Sequence, residues 1–71
     1  MDKQDFLMVF QDTLQSDSAL TMDMRLADIP EWDSMAAMGT IALADRQFGK
    51  QLKLAELKKV DTVEDVYALL A

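Results

Sequence analysis

The tract EWDSM, residues 31–35, places two acids, an indole and a hydroxyl directly after Pro30 and directly before a long apolar run of helical character. Ser34 is the group there with chemistry to offer. As a nucleophile it lacks a base, because the chain contains no His, and W-D-S-M-A lacks the glycines of the strained G-x-S-x-G elbow, which argues against a hydrolase. Two uses of the position remain. A Ser or Asp ahead of a helical run commonly caps it, its side-chain oxygen accepting an otherwise unpaired backbone N–H, with Trp32 packing over the helix entrance. A helix N-terminus also gathers free N–H groups and the positive end of the macrodipole, so a phosphate attached at Ser34 would be tolerated and oriented there.

Other chemistries are poorly provided for. With no Cys there is no disulfide framework, zinc-thiolate site or thiol nucleophile, and with no His the usual general base and metal ligand is missing. No enzymatic activity and no metal site are expected. An EF-hand starting at Asp17 would need oxygen ligands and a turn glycine where Ala19, Thr21 and Met22 stand. A helical DNA reader needs a basic recognition face, whereas residues 34–45 contain no Lys or Arg.

Charge divides at the same point in the chain. Residues 1–33 carry eight acids against Lys3 and Arg25, which accounts for the whole net charge of −6, while the acids and bases of residues 34–71 cancel. Nucleic acid would be repelled by the acidic half and a basic protein surface steered towards it; solubility alone is the simpler use of such a surface. No apolar stretch approaches the roughly 20 residues that span a bilayer. MDKQDF has neither the basic nor the apolar region of a signal peptide, so a cytoplasmic protein with no membrane partner is expected.

The elements that must position Ser34 are helical. Phe6, Phe10 and Leu14, with Leu7 beside them, form one apolar stripe between Asp2 and Gln15. Residues 16–33 are irregular, interrupted by Ser, Asp, Thr and Pro30, and read as a long loop anchored by Leu20, Leu26 and Ile29; a connection of that length tends to be functional. Residues 34–48 hold strong helix formers and stop at Gly49. Met35, Met38, Ile41, Ala42, Leu43 and Phe48 spread over most of that helix, so it is either buried on two sides or keeps an apolar edge for a partner. Residues 53–60 form a short helix presenting Leu54, Leu57 and Val60. Thr62 and Asp65 make a capping box before Val63, Val66, Tyr67 and Leu70. The expected core joins Phe6, Phe10, Leu14, Ile41, Leu43, Phe48, Val66 and Leu70. The fold class is all-α in a single domain of 71 residues, three main helices with a short third one and a long first loop.

A helix, a long acidic loop, Asp33-Ser34-Met35 opening a central helix, LADRQFG (residues 43–49) at its end and a terminal T-V-E-D-V helix together resemble the acyl carrier proteins over essentially the whole chain. That resemblance implies a monomeric four-helix bundle whose Ser34, in the attachment motif with Asp33, is esterified by 4′-phosphopantetheine from coenzyme A. It also implies that the arm's thiol carries acyl groups as thioesters. The partners implied are a phosphopantetheinyl transferase, an acyl- or aminoacyl-loading enzyme, and downstream transferases or synthases. Missing His and Cys suit a carrier, since the sulfur comes with the arm and catalysis belongs to the partners. Met35 is the expected partner contact because the family's residue after the serine commonly touches enzymes; Met38 is either partner surface or core, and Trp32, Glu31 and Asp28 complete the expected surface.

The chain departs from carriers of fatty-acid synthesis, which place acids two and five residues after the serine. Here those positions are Ala36 and Gly39, and the later region keeps only Asp45, followed by Arg46. Trp32 stands where the family commonly has Gly or Leu. A specialised lipid, polyketide or surface-polysaccharide pathway is therefore expected, with an aminoacyl or peptidyl carrier as the alternative. An unmodified helical interaction module, in which Asp33 and Ser34 merely cap, is the alternative of a different class. Glu at both Ala36 and Gly39 is expected to restore the family's charge without harm to folding, because Glu favours helix over Gly.

Overall fold

The Asp2 carboxylate accepts the Asp5 N–H at 2.8 Å and starts α1 (Lys3–Leu14) in the computed structural model, which describes residues 1–71. The helix stops where Gln15 turns left-handed (φ 56°), allowing the N–H groups of Gln15 and Ser16 to reach the Asp12 and Gln11 carbonyls. Phe6, Phe10 and Leu14 face inward as their spacing requires, and the Phe6 and Phe10 rings stack at 5.1 Å.

Three further helices complete the chain, α2 (Ser34–Leu43), α3 (Leu54–Leu57) and α4 (Val63–Leu70), with no strand beyond an isolated bridge between Arg25 and Thr62. α2 packs between α1 and α3. Its buried side is formed by the small residues Ala36, Ala37 and Thr40 and by Leu43, with the Thr40 hydroxyl donating to the Ala36 carbonyl at 2.9 Å so that no buried side-chain polar atom is stranded. Small side chains let α1 approach closely. A Cβ at Gly39 would lie 3.2 Å from Thr13 Cγ2, and the Thr13 hydroxyl is held by a 2.9 Å bond to the Val9 carbonyl.

Gly39 therefore answers to a close helix contact. Gly39→Ala should forfeit most of the ~1 kcal/mol that helix propensity offers, because Thr13 must yield. In a Thr13→Ser background, without the Cγ2 methyl, the same substitution should recover that gain in urea unfolding. Full stabilisation by Gly39→Ala alone would show that Thr13 gives way freely.

The end of the second helix departs from expectation. α-Helical geometry runs only to Leu43, and residues 44–48 form a π-helical turn that closes at Gly49 (φ 65°). Bonds to the fifth rather than the fourth residue widen the turn and rotate its last side chains away from the buried stripe. Phe48 is consequently half-buried and packs on the edge of the core instead of filling it; Ile41, on the flank of α2, is half-buried as well. The other six expected core residues are buried in one cluster, joined by Leu20, Leu26, Ile29, Leu52, Leu57 and Val63 among others.

The loop 16–33 is anchored by Leu20, Leu26 and Ile29, and a 3-10 turn occupies Leu26–Asp28. Its backbone also serves α4. Met24 and Met22 carbonyls accept the Val63 and Glu64 N–H groups at 3.0 and 2.9 Å, and the Thr62 hydroxyl accepts that of Asp65 at 3.2 Å, so the free donors of the α4 N-terminus are satisfied. The Asp65 carboxylate returns the cap, accepting from the Asp61 and Thr62 N–H groups at 3.0 and 3.1 Å, and these bonds hold its pKa below the usual value. A depressed folded-state pKa stabilises the fold above the unfolded value and loses that contribution as pH falls through the folded one. Asp65→Asn should thus lower the thermal midpoint at neutral pH, and the gap from the unaltered protein should close as pH drops below about 4. A gap independent of pH would assign the effect to shape rather than charge. No helix is long and apolar enough to cross a membrane.

Candidate functional site

Ser34 is placed by anchors on both sides. Before it, Ile29 is buried and Trp32 N–H closes a turn on the Ile29 carbonyl at 3.0 Å, with Pro30 at the turn position where its fixed φ is favourable. The Trp32 ring tilts against Phe10 of α1 at 6.0 Å and is half-buried, so part of it remains exposed beside Asp33. After Ser34, Ala36 and Ala37 enter the core.

Between these anchors the cap falls to Asp33, not Ser34. Asp33 has extended backbone geometry, its carboxylate accepts the Ala36 N–H at 2.8 Å, and its carbonyl accepts the Ala37 N–H at 2.9 Å. Ser34 is the first helical residue, exposed, with its hydroxyl outside the cap. The physical cause is the backbone: a capping side chain must come from the non-helical residue that precedes the helix, and that residue is Asp33. The positive end of α2 is thus present at Ser34 while the serine oxygen stays free.

Met35 is the crest of this site, 83% exposed, and Met38 one turn further is 59% exposed, so Met38 is not core. Two clefts flank the crest. One, about 390 Å³, runs between the end of α1 and the start of α2, where Glu31, Asp33 and Met35 meet Thr13, Leu14 and Gln15. The other, about 170 Å³, lies between α2 and α3, where Trp32, Asp33 and Ser34 meet Ala37, Leu54, Leu57 and Lys58. Asp28 is exposed in the 3-10 turn and shares a third cleft with Glu31. Lys58 and Leu54 are additions to the expected site. Their chain positions carry no mark of Ser34, which lies 24 and 20 residues away in sequence.

Two expectations about charge on α2 are revised. Ala36 is only 7% exposed, so a Glu there would bring a carboxylate into the core, and Gly39 has Thr13 in the way. Acids at these positions would harm folding, contrary to the expectation from helix propensity alone. No group of three or more His, Cys, Asp or Glu side chains is gathered closely enough to hold a metal ion. No family model, curated protein or solved structure matches the chain.

Proposed function

We propose that this chain is an acyl carrier protein, a four-helix bundle of the cytoplasm whose Ser34 bears 4′-phosphopantetheine received from coenzyme A. The observation that carries the reading is the division of roles at the start of α2: Asp33 holds the cap, and the exposed Ser34 hydroxyl is left free for modification. The site suits the group, since a phosphodiester on the exposed Ser34 would stand at the positive end of a ten-residue helix. When bound, the arm supplies a thiol that holds cargo as a thioester.

The chain's own residues bind and orient. Asp33 fixes the first turn of α2 and thereby the direction of Ser34, and Ile29 and Trp32 pin the approach of the loop. Met35 and Met38 offer an adaptable apolar handle to the transferase and to loading and receiving enzymes. A handle of this size favours brief, repeated association over permanent assembly. Ser34–Leu43 has no charged side chain, which favours a specialised lipid, polyketide or surface-polysaccharide pathway over primary fatty-acid synthesis.

Intact-mass measurement after incubation with coenzyme A and a phosphopantetheinyl transferase tests the reading. One phosphopantetheinyl group, mapped to the peptide containing residues 31–35, is expected. An unchanged mass, with the transferase active on a control carrier, would return the chain to the class of unmodified helical interaction modules.

A further inference from the structure

The division of charge at Ser34 along the sequence becomes a division in space. On one side of the Ser34–Met35 crest the cleft presents Glu31; on the other it presents Lys58, with Lys53 and Lys59 exposed beside α3, while the capping Asp33 borders both clefts and so does not distinguish the two sides. Lys58 is in neither of the two ion pairs, which join Lys3 to Glu64 and Arg25 to Asp61. α2 itself separates the two sides with an uncharged, apolar outer face. A wholly basic partner face, which the net charge of −6 alone would select, meets repulsion at Lys58.

We propose, building on the carrier reading, that the protein face docking over Ser34 is dipolar: an apolar socket for Met35, a cationic group opposite Glu31 and an anionic group opposite Lys58. Two opposed charge pairs across one apolar contact fix the orientation of a partner as well as attracting it, so that the serine is presented in one register. The transferase that modifies Ser34 must cover this crest and is therefore the partner that reads it first.

The test uses the full-length apo protein and the phosphopantetheinyl transferase of the same organism, with initial rates of Ser34 modification measured at low and high salt. Lys58→Glu and Glu31→Lys should each lower kcat/KM about three- to tenfold at low salt, with the loss shrinking as salt rises. Glu31→Gln, which removes the charge without reversing it, should give a smaller loss, and thermal midpoints near that of the unaltered protein would keep folding out of the comparison. Faster modification of Lys58→Glu would overturn the proposal in favour of a uniformly basic partner, and an unchanged rate for either reversal would overturn it outright. Failure of the unaltered protein to accept the arm would remove the carrier reading itself, whereas a modified protein indifferent to Lys58 and Glu31 would remove only this inference.

Discussion

On the proposed carrier reading, Ser34→Ala is expected to abolish attachment of the phosphopantetheine arm while leaving the protein folded. The substitution removes the exposed hydroxyl at the start of α2 that stays outside the cap, since the capping bond to the Ala36 N–H, at 2.8 Å, is made by the Asp33 carboxylate. Had Ser34 capped the helix, its loss would cost about 0.5–2 kcal/mol. That penalty belongs instead to Asp33→Ala, and the two variants should separate cleanly: Ser34→Ala keeps its denaturation midpoint and loses all mass gain, while Asp33→Ala loses stability. Intact mass and urea unfolding measured together decide the matter. A folded Ser34→Ala protein that still gains the arm, or peptide mapping that places it on Ser16, Ser18 or a threonine, would show the attachment site to be misassigned.

Phe6→Ala should bring the fold close to the limit of its stability, with a loss of about 3–5 kcal/mol. The ring is fully buried, stacks on Phe10 at 5.1 Å and meets Tyr67 of α4 at 5.2 Å, so its removal opens a cavity where α1 and α4 join. Domains of this size have roughly 0.05–0.15 kcal/mol of stability per residue, which makes such a loss a large share of the total. Phe48→Ala is the instructive comparison. A fully buried ring at position 48 would incur a similar loss, but the π-helical turn leaves Phe48 half-buried, and its truncation should cost clearly less. Chemical denaturation of both variants measures the difference; equal losses would mean that Phe48 reaches further into the core than its half-burial allows.

How much of the fold and of the site is legible in the sequence depends on the range of the interactions. The stripe of Phe6, Phe10 and Leu14, the left-handed stop at Gly49 and the capping box of Thr62 and Asp65 all depend on residues within a turn or two of one another, so they can be read from spacing and they stand in the structure. The position of Ser34 at the opening of a helix is legible for the same reason. α2 is different because its residues are apolar all round, so no stripe tells the core side from the outer one; contact with α1 and α3 chooses Ala36, Ala37 and Thr40 for the interior and leaves Met35 and Met38 outside. Only packing explains Gly39, whose reason is a methyl of Thr13, and only the widened turn explains Phe48. The meeting of Lys58 with Ser34 in one cleft likewise belongs to the tertiary structure, because charge order along a chain is set by sequence but charge order across a surface is set by which helices touch.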